Sequence, residues 1–487
     1  MNHATRNWQP KPLQILAALF ILQLFVTLFT DGFALSFDEA MWHYIGRNWF
    51  RNGLVPYSGG VDNKSPLIFA VFGLSDKLFG VNYWFPRVLG TICQSIGIWY
   101  VYRIAKHQSD EHTALLAMLI YGLSLLWHTT GGKYVSYTET YEVLFTILAI
   151  YYYLAAKTAR QMFASGLLAG ITLAFRLTGA FGILVILISS LLKNRKYAFI
   201  FCLGALSSIA ALLLCGLITG ISPHDMLTYG LLDNFNSGSA TDHTLAWKWQ
   251  NFSAKFLLSS MVLFYPLALS YFFIKRKVDL LALWMAFEFI GICTIGIFDN
   301  VHLKEVLPPF AIMSAFCLNY LLERYKLSMN IVLLFVMLVF FPRVSEPVSN
   351  LGKALISFKF FKQHFCAPPY RIPDEGTRKK LGWWVRDNTE VNDKVFIAGF
   401  GAQAQAYSER VSPSIYFNAT QTPLAQKRLY ADLRSNKPEM ILVPLFPEYT
   451  QTVNVDIRNF VDTLVATRYQ SVGCRYSYEV FKLKTSP

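Results

Sequence analysis

The sequence predicts an α-helical polytopic membrane protein with a C-terminal extracytoplasmic α/β domain. Hydrophobic residues make up 54% of the 487 and charged residues 15%, where soluble proteins carry about 25% charged. Apolar runs close to the roughly 20 residues of a crossing helix recur through the first two thirds of the chain. From about Ser345 the composition turns polar, and strand-like and helix-like stretches alternate.

Crossing helices are predicted near 13–30, 84–104, 113–130, 140–156, 162–175, 179–192, 197–219, 254–274, 279–297, 305–322 and 327–342, about eleven in all. The first run lacks a small-residue cleavage pattern and reads as a retained anchor. The fifth and sixth are short and fit as tilted or half-buried helices. The run at 67–79 is shorter still and carries Asp76 and Lys77, so it reads as interfacial or re-entrant. Loop charge supports leaving it out of the count. Without it, Arg103, Lys106, Lys157, Arg160, Lys193, Arg195, Lys196, Lys275, Arg276, Lys277, Arg324 and Lys326 share one side with Arg6 and Lys11. Under the positive-inside rule that side is the cytoplasm. This gives a multi-pass chain with a cytoplasmic amino terminus, a membrane domain at 1–344 and an exported domain at 345–487. A bacterial inner membrane, with that domain periplasmic, fits better than an endoplasmic reticulum, since no retention tail is present. The same rule accounts for the formal charge of +14, and no basic nucleic-acid motif accompanies it.

The outward segments are then 31–83, 131–139, the hinge at Arg176, 220–251 and 298–304. They hold most of the ionisable residues that invite a functional reading. The seven cysteines show no metal-binding spacing. Cys366 and Cys474 are either free and buried or bonded in an oxidising compartment. In the C-terminal part, 395–398, 440–443 and 478–483 read as strands, and 377–387, 423–433 and 456–466 as helices. Gly399-Phe400-Gly401-Ala402-Gln403-Ala404 imitates a dinucleotide fingerprint, but no acidic residue closes a second strand about 20 residues on. A tight turn entering a helix explains both glycines.

The most informative stretch is Ser36-Phe37-Asp38-Glu39-Ala40-Met41-Trp42-His43-Tyr44-Ile45-Gly46-Arg47. Val55-Pro56-Tyr57, Asp62-Asn63-Lys64-Ser65-Pro66-Leu67 and Leu78-Phe79-Gly80-Val81-Asn82 follow it. Adjacent carboxylates favour a helix first turn on dipole grounds alone. Their order resembles the first loop of GT-C glycosyltransferases, in the group of dolichyl-phosphate-mannose protein mannosyltransferases and aminoarabinose transferases. The resemblance covers about 13–345. It implies a polyprenyl-phosphate sugar donor and transfer of a hexosyl or pentosyl unit to a lipid, glycan or protein hydroxyl at the cell envelope. It maps Asp38 onto the position of the catalytic acidic residue, with Glu39 its neighbour. Glu139, beside Tyr137 in Ser136-Tyr137-Thr138-Glu139-Thr140, falls on a second acidic position. Lys64 matches a family lysine, although Asn63 and Ser65 depart from the family's Glu-Lys-Pro-Pro turn. Arg176 takes the place of another lysine, and His302 and Lys304 precede a Leu-Pro segment as in relatives.

These residue types suit the chemistry. Lys64, Arg176, His302 and Lys304 can neutralise a leaving phosphate. A carboxylate can take the acceptor's proton; Asp38 is the expected base, Glu139 and Tyr137 the expected positioning groups, and the outcome is inversion. No cofactor is implied. No Asp-x-Asp lies near the first loop, leaving Asp38-Glu39 as a weak candidate for a divalent metal. Plain structural roles compete at each position: a snorkelling Arg176, an interfacial Lys64, a Lys304–Glu305 surface pair, a hydrogen-bonded His302, a helix-capping Glu139, and Trp42 and His43 in an aromatic belt at the membrane lipids. A transporter or flippase of a lipid-linked sugar is the alternative function. Against it, the chain shows no internal repeat, and its charges sit at helix ends rather than midway. A non-catalytic scaffold is a third.

Overall fold

The computed structural model describes residues 11–29, 33–126, 132–233, 244–254, 264–296, 300–326, 372–419 and 423–484, with 298, 328 and 336 singly. The expected helix at 327–342 lies almost wholly outside these, as do Cys366 and most of 233–249. The helices are α1 Pro12–Leu28, α2 Phe37–Asn52, α3 Pro66–Phe79, α4 Trp84–Gln108, α5 Glu111–Ser124, α6 Thr138–Leu154, α7 Ala159–Phe175, α8 Ala180–Lys193, α9 Arg195–Ile218, α10 Pro223–Leu227, α11 Leu245–Phe252, α12 Tyr265–Lys275, α13 Leu280–Ile295 and α14 Leu307–Tyr325. The C-terminal part adds α15 Glu375–Asp387, α16 Ala402–Ser408, α17 Pro423–Ser435, α18 Pro447–Thr452 and α19 Val455–Arg468. Its strands are β1 Val395–Ile397, β2 Met440–Pro444, β3 Tyr469–Arg475 and β4 Tyr478–Leu483.

The chain forms two compact units, one of Met1–Leu28, Arg87–Ile209 and His243–Ser349, the other of Phe29–Pro86, Ala210–Asp242 and Asn350–Pro487. The first is helical. Its core is a continuous cluster that includes Ile98, Val101, Met118, Ile147, Trp284 and Met313. Small residues let its helices approach closely. A Cβ on Gly166 would meet Phe201 O at 2.1 Å, and one on Gly204 would meet Phe163 O at 2.3 Å. Gly166 with Gly170 on α7, and Gly204 with Ser208 on α9, form the small-x-x-x-small pattern of helices packed in lipid. Among the described residues one helix, Arg195–Ile218, is both long and apolar enough to cross a membrane. Pro12–Leu28, Leu177–Lys193 and Leu280–Ile295 are apolar but shorter. Only 22% of the most apolar stretch of α9 is buried, and Phe199, Leu206 and Ile218 stand exposed on it. An apolar helix with its outer face bare matches a lipid surroundings rather than a soluble core.

The second unit joins the first loop to the sheet. The strand order is β1-β2-β4-β3, with β1 parallel to β2 and the other pairs antiparallel. β3 was not expected. It is largely exposed and too polar to read as a strand, which suits an edge position. Cys474 within it is disulfide-bonded, while Cys93, Cys202, Cys215, Cys293 and Cys317 are free. The 14 residues of α3 rise about 21 Å, the same as the 14 of α5 and of α8, so length alone does not set it apart from the helices read as crossings.

Helix α2 begins at Ser36, whose backbone N–H donates to Glu39 Oε2 at 2.7 Å, and ends on left-handed Gly53. It crosses α3 at paired glycines: a Cβ on Gly46 would lie 2.4 Å from Gly73 N. Buried Asp76 locks the pair. Arg47 Nη1 donates to it at 3.0 Å, Arg51 Nε donates to its other oxygen, and Arg51 Nη2 donates to its carbonyl. His43 lies 3.6 Å away, fully buried. Burial takes its pKa down to about 4 against the pull of Asp76, so the ring stays neutral and the arginines carry the pairing. Trp42 and His43 thus depart from the expected aromatic belt: both are buried, and Trp42 Nε1 donates to Asp62 Oδ2 at 2.7 Å. Asp76→Ala should cost about 3–5 kcal/mol by stranding buried charge, seen as a lower melting temperature in detergent. An unchanged melting temperature would show that Asp76 does not hold α2 to α3.

The same helix is stitched to the C-terminal residues. Tyr44 Oη accepts from Ser412 N at 2.8 Å, Tyr407 Oη accepts from Leu35 N at 2.9 Å, and Gln403 Nε2 donates to Leu35 O at 3.0 Å. Arg47 also bridges to Glu409 at 2.7 Å. The first loop and the sheet are therefore one packed body.

Candidate active site

In the helical unit, three turns converge. Residues Gly132–Ser136 form a short helical turn that leads into α6, Leu177–Gly179 joins α7 to α8, and Asn300–Lys304 leads into α14. Glu139, Arg176, His302 and Lys304, four residues singled out from the sequence, meet there. Arg176 Nη1 donates to Glu139 Oε1. Its Nε donates to Thr178 Oγ1 at 2.6 Å and lies 3.0 Å from Glu305 Oε1. Thr178 Oγ1 donates to Glu305 Oε1 at 3.1 Å. His302 Nε2 stands 3.8 Å from Glu139 Oε1. Lys304 Nζ donates to Tyr134 O at 2.5 Å and to Thr140 Oγ1 at 2.9 Å. Arg176 therefore does not snorkel, and Lys304 does not pair with Glu305 on the surface; Lys304 is 1% exposed.

The electrostatics separate these groups. Burial alone would raise the Glu139 carboxyl, but Arg176, then His302 and Lys304, outweigh it and hold it at about 2. A base that weak takes protons poorly near neutral pH; the carboxylate suits accepting hydrogen bonds. Burial takes Lys304 down to about 7 despite Glu139. Burial also opposes the charge on Arg176, yet Glu139 and then Glu305 raise it, so it stays a cation. Tyr137, buried ahead of α6, packs edge-to-face on Tyr134 with centroids 5.2 Å apart.

Three further acidic residues surround the cluster; Glu142 and Glu288 were passed over in the sequence, and Glu305 was weighed only as a surface partner of Lys304. Glu305 is buried beside Arg176. Glu142 is buried one turn along α6 from Glu139 and accepts from Thr146 Oγ1 at 3.0 Å. Glu288 is buried in α13 and accepts from Trp284 Nε1 at 2.9 Å. Each has one carboxylate oxygen without a hydrogen-bond partner among the described residues. A signal was available: Glu142 and Glu288 interrupt long apolar runs, where an ionisable residue is rarely idle. Among the described residues no group of three or more His, Cys, Asp or Glu has metal-holding geometry.

Asp38, Glu39 and Lys64 belong to the other unit. Glu39 is fully buried and clasps the start of α2. Asp38, its neighbour in the same first turn, is partly exposed. Lys64 Nζ donates to Asn63 Oδ1 at 2.9 Å, and its carbonyl accepts from Tyr57 Oη at 2.7 Å.

Residues 63–220 match the sequence profile of the dolichyl-phosphate-mannose-protein mannosyltransferase family. No curated protein matches the chain. Among solved structures, ArnT from Cupriavidus metallidurans bound to undecaprenyl phosphate superposes with a TM-score of 0.63 at 12% identity, over 97% of this chain and 98% of that one. Its apo state gives 0.61 at 13%, over 96% and 97%. The Archaeoglobus fulgidus oligosaccharyltransferase tethered to an acceptor peptide gives 0.57 at 13%, over 89% and 69%. At these identities the likeness establishes the fold.

Proposed function

From the premise that this chain has the GT-C fold and resembles the protein-mannosyltransferase and aminoarabinose-transferase group, we propose that it is a multi-pass membrane glycosyltransferase. It takes a sugar from a polyprenyl-phosphate donor and passes it, with inversion, to a hydroxyl of a lipid, glycan or protein on the outer face. About eleven crossings, an inner bacterial membrane, a cytoplasmic amino terminus and an exported C-terminal body complete the reading. The observation that carries it is the buried Glu139–Arg176–His302–Lys304 cluster. Burying that much charge costs several kcal/mol per ion, a cost expected of a site rather than of packing. The solved relative with bound undecaprenyl phosphate supports the donor class.

The acceptor oxygen attacks the anomeric carbon as the bond to the phosphate oxygen breaks. The departing polyprenyl phosphate carries the negative charge, and the acceptor's proton passes to Asp38. Arg176, Lys304, His302 and Lys64 hold the phosphate. Among the described residues Arg176 Nη2 has no partner, which leaves donors for a phosphate oxygen. Glu139 and Tyr137 orient the sugar or the acceptor.

Lys304 supplies a pH test. Its folded pKa of about 7 lies below the ordinary lysine value of 10.5, so the side chain is charged below pH 7 and neutral above. Donor affinity should therefore fall as pH rises through about 7, and the fall should vanish in Lys304→Met. Purified protein in liposomes, assayed for polyprenyl phosphate release and for product anomer, gives the readout. Retained configuration at the anomeric carbon would overturn inversion. No transfer from any polyprenyl-phosphate sugar, together with movement of the intact lipid across the bilayer, would replace the enzyme by a flippase.

A further inference from the structure

A second site lies elsewhere in the helical unit, where the ends of α6 and α8 meet the starts of α7 and α9. A cavity of about 220 Å³ opens there, lined by Tyr153, Met162, Ser190, Lys193, Asn194 and Tyr197 among others. None of the Glu139 cluster lines it. Tyr153 Oη and Ser190 Oγ are buried and without a hydrogen-bond partner among the described residues. A buried hydroxyl left that way costs about 1–3 kcal/mol, and here two line one cavity. Lys193 Nζ sits 5.5 Å from the Tyr153 ring centroid, and the Asn194 amide adds further donors. No carboxylate lines the cavity. Lys157, Arg160, Arg195 and Lys196 follow the same helix ends in sequence, so the local field is positive.

These groups together supply the donors that an oxyanion would need. It presents two hydroxyl donors, an ammonium and an amide, in a volume of about seven waters at about 30 Å³ each. Leu191, Leu192 and Phe199, neighbours of the lining residues in sequence, are exposed at 50%, 81% and 70%. A free inorganic anion has no use for that apolar margin, whereas acyl chains would cover it. We propose that this cavity binds the phosphate of an anionic phospholipid head group, with Tyr153, Ser190 and Lys193 as its donors. The site belongs to the end of the bundle rich in Lys and Arg, and it needs no assumption about the transfer reaction.

The test uses the full chain, delipidated in detergent, and follows its melting temperature. Phosphatidylglycerol in mixed micelles and inorganic phosphate are titrated separately. Phosphatidylglycerol should raise the melting temperature of wild type. Its midpoint should move about tenfold higher in Lys193→Gln, through loss of a charge-assisted hydrogen bond, and also rise in Ser190→Ala and Tyr153→Phe. Lys193 is exposed, so its variant keeps the test decisive even where a core variant folds poorly. Inorganic phosphate should act only at far higher concentration. A midpoint unchanged in Lys193→Gln, or no response of wild type to the lipid, would overturn the site. Equal midpoints for lipid and inorganic phosphate would overturn the lipid as its occupant.

Discussion

Replacing Arg176 with methionine is expected to abolish sugar transfer and to cost about 3–5 kcal/mol of stability. The guanidinium ties Glu139 to Glu305 and is braced by Thr178. Methionine fills similar space but leaves two buried carboxylates without the guanidinium that bridges them, with only His302 and Lys304 near Glu139 to offset the charge. The stability loss and the activity loss are separable. Adding Glu139→Gln removes one of the stranded charges and should recover part of the stability, because residues in one network do not act additively. It should recover no transfer, since the phosphate has still lost its fork. Arg176→Lys keeps the charge and the fold but cannot make paired parallel donations, and should lose about 1.5–3 kcal/mol of donor affinity. Melting curves and donor titrations on the three variants decide the matter. A folded methionine variant with wild-type turnover would remove Arg176 from the site.

Asp38→Asn should lower the transfer rate about 10²–10⁴-fold while leaving donor affinity and melting temperature near wild type. The reasoning starts from the division of labour in the first turn of α2. Glu39 accepts from the Ser36 backbone and is fully buried, whereas Asp38 in the same turn is partly exposed. Asparagine preserves shape and hydrogen bonding and removes only the ability to take a proton. Single-turnover rates measured across pH separate the chemical step from binding. Wild-type single turnover in the asparagine variant would pass the base role to another group, and Glu139, held near 2 by Arg176, is poorly suited to it.

Much of this was legible in the sequence. Apolar runs near 20 residues report helices because length and solvent together leave few alternatives, and α4 through α9 appear close to where those runs lie. Lys64, Arg176, His302 and Lys304 were singled out by the resemblance to family motifs, and their place in the outward segments agreed with the segregation of ionisable residues there. Glu142 and Glu288 escaped notice for the complementary reason: each sits within an apolar run read only for its hydrophobicity, while Glu305 was read only as a surface partner for Lys304. Trp42 and His43 were misplaced because burial depends on partners distant in the chain. Their neighbour Tyr44 meets Ser412, a pairing that no local periodicity encodes. β3 was missed because an edge strand can stay polar on both faces.

The union of α2 with the C-terminal residues bears on how the protein is made. Tyr44 and Ser412 are 368 positions apart, so the early loop emerges from the ribosome long before the surface it packs against. Until then α2 has its cap and its glycine crossing with α3, but not the Arg47 link to Glu409. Closing so long a span comes late and slowly. A nascent chain halted before about residue 400 would carry the acidic turn yet lack the body that seats it.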